Sequence, residues 1–165
     1  AITYKSLTGN TRQVAEAIRD ALGGEEIVYF GEPKPDIVAD LYFVGSWTDK
    51  GSCDGTVGEY LKQLEGKKLA VFGTAGYGGS REYYQKLACR VTECVPDTSE
   101  VLGSFYCQGK MPIGVRNRYV AMLREHPEDQ KLNASVKNFD EALSHPDEKD
   151  FADARQWAQT MVDAV

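Results

Sequence analysis

Ser6-Leu7-Thr8-Gly9-Asn10-Thr11 gathers three hydroxyls, one glycine and one side-chain amide into six residues. Such a set can hydrogen-bond an anion, provided the backbone N–H groups between them point the same way. Phosphate suits it, because hydroxyls complete the shell and a glycine lets the backbone come close. Two more stretches carry groups that could hold a ligand. Ser46-Trp47-Thr48-Asp49-Lys50-Gly51 sets an indole in a polar run, and Thr74-Ala75-Gly76-Tyr77-Gly78-Gly79 sets a phenol among glycines. Their π-faces can stack on a flat aromatic molecule. Two common phosphate motifs are excluded. No Lys follows Gly9, as a Walker A loop requires, and Arg81 stands where a dinucleotide fingerprint starting at Gly76 needs its third glycine. The rival readings are a ligand-free Thr/Asn helix cap, a core Trp47, and a surface Tyr77 in a tight turn.

The elements around these stretches must bring them together. Residues 2–5 read as a short strand, and from Thr11 the apolar positions Val14, Ile18 and Leu22 recur every four residues, as in a helix. Gly23-Gly24 ends that helix. The first loop therefore sits where a strand hands over to a helix N-terminus, the positive end of the macrodipole. Residues 27–30 read as a second strand, 41–45 as a third covered on both faces, and 69–73 as a fourth. Residues 46–55 read as a polar loop, 57–64 and 83–91 as helices, and 101–107 as a fifth strand. Residues 36–40 allow only a turn of helix.

Strands alternating with helices predict an α/β fold: right-handed crossovers, a parallel sheet, and helices on both faces. With strand order 2-1-3-4-5, the loops after the first, third and fourth strands converge on one crevice at the carboxyl edge. The last third departs from the alternation. Two helices, 115–125 and 128–143, are inserted before a closing helix over 147–162 that buries Phe151, Ala154, Ala158 and Val162. No linker or repeat divides residues 1–165, which read as one domain.

Composition narrows the function classes. A chain of 165 residues with 42% hydrophobic and 27% charged residues is long enough for one well-cored globular domain. A net charge of −6 argues against nucleic acid, which demands a basic face, and fits docking to basic protein partners. No apolar run approaches membrane-spanning length and no signal peptide opens the sequence, so a cytoplasmic location is expected. Cys53, Cys89, Cys94 and Cys107 form no C-x-x-C pair and read as free thiols. His126 and His145 each precede a proline and two acids, which reads as Pro at the first helical position and both histidines as capping or solvent residues. No metal set and no catalytic acid–base pair stands out.

Taken together, the three loops resemble those of the flavodoxin family. The match covers about residues 1–108 and resumes in the closing helix. The resemblance implies a three-layer, five-stranded flavodoxin-like sandwich that binds FMN. It implies that Ser6, Thr8, Thr11 and the N–H groups of residues 7–11 hold the phosphate, and that Trp47 and Tyr77 flank the ring. Backbone groups of residues 48–51 and 74–79 would address the ring's polar edge, and Gly51, Lys50 or Asp49 would face flavin N5. The implied function is a low-potential electron carrier working between a reductase and an acceptor protein, as a monomer. The alternative on the same fold is an FMN-dependent NAD(P)H or quinone reductase, with the inserted helices as a pocket wall or a dimer interface. A phosphorylatable receiver domain shares the topology but needs an Asp where Gly45 stands.

Overall fold

The computed structural model describes all residues 1–165. Five strands form a parallel sheet: β1 (Ile2–Lys5), β2 (Phe30–Gly31), β3 (Tyr42–Asp49), β5 (Lys68–Ala75) and β6 (Glu100–Gln108). Their order across the sheet is β2-β1-β3-β5-β6, the expected 2-1-3-4-5 arrangement. A short β4 (Ser52–Cys53) folds back antiparallel on the end of β3.

Successive residues of a strand point to opposite faces, and here both faces are covered. Phe43, Ala70 and Phe72 face a core completed by Val14 and Ile18 of α1 (Asn10–Ala21) and by Ala154, Ala158 and Met161 of α6 (Glu148–Asp163). Their neighbours Tyr42, Val44, Leu69 and Val71 face the other core, with Val57, Tyr60 and Leu61 of α2 (Gly55–Leu61) and Val91 of α3 (Arg81–Thr92). The continuous apolar runs of the third and fourth strands follow from this double burial.

The inserted pair is α4 (Ile113–Glu125) and α5 (Gln130–Ala142). α5 buries Leu132, Phe139 and Ala142, whereas α4 buries no residue and packs along α5. Arg116 Nε donates to Asp140 Oδ1 at 2.8 Å and ties the two together.

Four local expectations need correction. The polar loop at 46–55 is a hairpin: β3 runs on to Asp49, and Thr48 pairs with Cys53. Lys50 and Gly51 both have positive φ, 48° and 77°, the pattern of a two-residue type I′ turn, which glycine enters without strain. The second strand is confined to Phe30 and Gly31, because only these pair with Ile2 and Thr3. No helix forms at 36–40, where Asp36 takes a φ of 64°. Pro127 and Pro146 lie outside their helices. Asp129 and Asp147 are the caps instead, since a carboxylate satisfies first-turn N–H groups that a proline ring cannot. His145 is also partnered, with Nδ1 2.6 Å from Asp150 Oδ2.

Gly45 lies opposite Phe72 in the β3–β5 ladder, and a Cβ built on Gly45 would overlap the Phe72 ring. Gly45→Ala is expected to lower unfolding stability by about 1–3 kcal/mol through overpacking. Urea unfolding of both proteins measures this, and an unchanged midpoint would contradict it.

Candidate functional site

Parallel pairing carries the strand ends to one edge. Lys5 pairs with Ser46, Trp47 with Thr74, and Ala75 with Gln108. The chain leaves the sheet from four adjacent strands, and the exits enclose a crevice of about 410 Å³.

Its first wall is the turn from β1 into α1. Gly9 caps α1 with a φ of 93° and supplies no side-chain oxygen. Ser6 Oγ accepts from the N–H of Gly9 at 3.1 Å and of Arg12 at 3.2 Å. The N–H groups of Leu7, Thr8, Asn10 and Thr11 donate to no protein acceptor. These four free N–H donors at a helix N-terminus, with the Thr8 hydroxyl as a fifth group beside them, make an anion cradle. Thr11 is fully buried, and its hydroxyl lies 2.9 Å from that of Thr74, so it ties α1 to β5 from beneath the crevice. Asn10 is 7% exposed; its Nδ2 donates to the Lys110 carbonyl at 2.8 Å while its buried Oδ1 has no partner.

The β3–β4 hairpin makes the second wall. Trp47 is half-buried and lines the crevice with Thr48, Lys50 and Gly51. Its Nε1 donates to Asp54 Oδ2 at 3.1 Å, which fixes the ring plane from behind. Asp54 also caps α2, and its carboxyl is held below the ordinary range, chiefly by the Thr56 hydroxyl and also by Trp47. Thr48 Oγ1 donates to the Thr74 carbonyl at 2.9 Å. Ser46 and Asp49 do not line the crevice. Ser46 is buried and its Oγ accepts from the Asp54 N–H at 2.8 Å, while Asp49 closes the hairpin opposite Ser52.

The third wall comes from the end of β5 and the loop leading into α3. Thr74, Ala75, Gly76 and Tyr77 line the crevice, and Tyr77 is 46% exposed. Gly78 lies against the Gln108 side chain, and Gly79 turns the chain into Ser80, whose hydroxyl caps α3. The Gly76 carbonyl accepts two amides, Gln108 Nε2 at 3.1 Å and Asn138 Nδ2 at 3.0 Å. The Tyr77 hydroxyl meets that of Ser135 at 2.9 Å and lies beside that of Tyr119. The inserted helices thus hold this loop from outside.

A fourth wall carries none of the expected site residues, although the reductase alternative expects the inserted segment to supply a pocket wall. Residues 109–112 come directly after β6, and Gly109, Lys110, Met111 and Pro112 line the crevice together with Val115 of α4 and Tyr83 of α3. The carboxyl-edge rule that picked the other loops applies equally to this one. Nothing in the sequence signalled Asn138, which reaches Gly76 across 62 positions. No carboxylate lines the crevice; its charged residues are Lys50 and Lys110.

A flat ring system bearing a phosphate fits these walls: free N–H donors at one side, an indole and a phenol at the other. The family model for the flavodoxin domain matches residues 1–159. A flavodoxin-like domain-containing protein, BilS, of Clostridium symbiosum (strain WAL-14163) is 39% identical, over 92% of this chain and 90% of the relative. BilS of Clostridioides difficile (strain CD3) is 34% identical, over 98% and 94%. Among solved structures, a short-chain flavodoxin associated with a non-canonical PDU bacterial microcompartment superposes with a TM-score of 0.62 at 16% identity, covering 99% of this chain and 95% of the other. Flavodoxin 2 of Bacillus cereus gives 0.58 at 17%, covering 99% and 97%. With its parallel sheet in the order 2-1-3-4-5 and a family match over nearly its whole length, the chain belongs to the flavodoxin-domain family.

Proposed function

We propose that the protein binds one FMN in this crevice and carries electrons between redox proteins. The observation that carries the reading is the meeting of an N-terminal anion cradle with two aromatic walls in one crevice. Bound FMN supplies the one- and two-electron chemistry. The chain's own residues bind, orient and tune. Thr8 and the N–H groups of Leu7, Thr8, Asn10 and Thr11 hold the phosphate, with Gly9 allowing close approach. Ser6 acts one step back, by fixing the Gly9 and Arg12 N–H groups. Trp47 and Tyr77 stack on the ring, and backbone groups of Thr48, Lys50, Gly51, Thr74, Ala75 and Gly76 address its polar edge.

A low potential rests on these stacking faces, which favour the oxidised ring. Charge acts the other way, because Lys50 and Lys110 favour an anionic one. No helix is long and apolar enough to cross a membrane. Four free cysteines suit a reducing compartment such as the cytoplasm.

The second reading, an FMN-dependent NAD(P)H or quinone reductase, is favoured by one observation. Met111, Pro112 and Val115 wall the crevice on the side of the insertion, as a substrate pocket would require.

Thr8→Val removes a phosphate donor and leaves the ring contacts. It is expected to weaken FMN by about 1.5–3 kcal/mol, the range for a hydrogen bond to a charged group, and to leave riboflavin unchanged. Fluorescence titration of both ligands checks this, and equal losses would refute the placement.

Trp47→Ala and Tyr77→Ala act on the ring instead, so each should weaken FMN and riboflavin alike, by about 0.5–1.5 kcal/mol beyond lost area. An unchanged flavin spectrum in both variants would end the stacking assignment. Steady-state assays separate the two functional readings: the carrier oxidises NADH and NADPH negligibly by itself, and rapid oxidation with a quinone acceptor would favour the reductase.

A further inference from the structure

Two sulfurs meet behind the hairpin wall of the crevice. Cys53 stands on β4, paired with Thr48 of β3, and Cys94 lies just beyond the end of α3. A Cβ placed on Gly58, which is buried in α2, would lie 3.6 Å from Cys94 Sγ and 3.7 Å from Cys53 Sγ. Both sulfurs thus pack over the same bare stretch of backbone. Both thiols are free and half-buried. They also act on each other: burial pushes the Cys53 thiol up, and Cys94 pushes it further. The other two cysteines are placed differently. Cys89 is exposed, and Cys107 is buried in the core on the opposite face of the sheet.

The pair spans a firmly packed element and a lightly held one. α3 is anchored by Leu87, Ala88 and Val91, all buried. The hairpin presents Trp47, Lys50 and Gly51 to the crevice. Its turn reaches α3 through Arg90, whose Nη1 donates to the Gly51 carbonyl at 3.3 Å, longer than a strong N–H···O bond. Cys53 is followed by Asp54, which accepts from Trp47 Nε1. A covalent bond at Cys53 therefore acts on the hairpin that carries the indole.

We propose that Cys53 and Cys94 form a dithiol–disulfide site that takes a low-molecular-weight disulfide as its oxidant and, once closed, locks the hairpin wall to the end of α3. Cys94, as thiolate, attacks one sulfur of the small disulfide, whose S–S bond breaks as one small thiolate leaves. Cys53 then attacks the Cys94 sulfur of the mixed disulfide. The Cys53–Cys94 bond forms and the second small thiolate leaves. The two protons given up by the cysteines end on the two released thiols, and two electrons pass from the protein to the small disulfide. Cys53, held protonated by burial, suits the second step, where its target is a neighbouring sulfur within the protein. Side-chain rotation brings such neighbours to the bond length of about 2.05 Å.

The pairing stands on the packing over Gly58 and needs no ligand; its effect on a flavin rests on the FMN reading. A ring held between Trp47 and Tyr77 leaves by spreading the two walls. Cross-linking the hairpin to α3 removes conformational freedom that the spread state uses, so oxidation retains FMN.

The test equilibrates native, FMN-loaded protein with mixtures of reduced and oxidised glutathione, quenches with acid, alkylates, and maps peptides by mass. Of the four thiols, two are expected to disappear together, joining the peptide of Cys53 to that of Cys94. Cys53→Ser and Cys94→Ser should each abolish the joined peptide, and Cys89→Ser should keep it. Deuterium exchange over residues 47–53 should be at least about fivefold slower in the oxidised form, and unaffected by the oxidant in Cys94→Ser. FMN release should slow by at least about threefold on oxidation. No joined peptide, a joined peptide through Cys89 instead, or hairpin exchange or FMN release unchanged by oxidation would each overturn the assignment. Repeating the map on flavin-free protein separates the two claims. A chain that binds no FMN sinks the cofactor reading, while its peptide map and hairpin exchange still decide the disulfide.

Discussion

Parallel pairing holds β1, β3, β5 and β6 side by side through backbone hydrogen bonds. Neighbouring strands lie about 4.8 Å apart and point the same way. The ladder stays paired almost to the last residue before each loop, from Lys5–Ser46 through Trp47–Thr74 to Ala75–Gln108. Four chain exits are thereby held side by side with little freedom to separate. Everything that could grip a ligand is delivered to that edge by backbone hydrogen bonds. The side chains beneath it reinforce the arrangement: the buried Thr11–Thr74 hydroxyl pair joins α1 to β5, and Thr48 joins the hairpin to the same strand. These polar contacts matter because a buried hydroxyl left unpaired would cost more than the bond itself contributes.

The inserted helices extend the scheme beyond the sheet. α4 buries nothing, so it contributes little to the core. Its partner α5 reaches the Gly76 carbonyl through Asn138, and Gln108 from the end of β6 donates to both Gly76 and Asn138. With two donors on one carbonyl, the Gly76–Tyr77 peptide is held in one orientation. The insertion therefore acts as a brace for the Tyr77 loop, and Met111, Pro112 and Val115 at its start also form part of the crevice.

Much of this was legible in the sequence, and the reasons differ by element. Doubly buried strands announce themselves as apolar runs, so residues 41–45 and 69–73 located β3 and β5. Helix phasing did the same for Val14, Ile18 and Leu22. The turn from β1 into α1 was readable because its chemistry is local: Gly9 takes the left-handed conformation that its position demands. The hairpin at Lys50-Gly51 was hidden, since a positive φ at lysine has no sequence signature and the strand continues through polar residues. Thr11 illustrates a different limit. Its type suggested an anion ligand, but the helical turn carries its hydroxyl inward to Thr74. The reach of Asn138 to Gly76 depends on long-range packing, which no window along the chain contains.

In the proposed complex the free N–H groups of Leu7, Thr8, Asn10 and Thr11 and the two aromatic walls receive one ligand together. Amide proton and nitrogen shifts of the protein, recorded with and without one equivalent of FMN, test it most directly. Large downfield proton shifts are expected at Leu7, Thr8, Asn10 and Thr11, with ring-current shifts at Trp47 and Tyr77 in the same complex. FMN binding that leaves those amides where they were would contradict it.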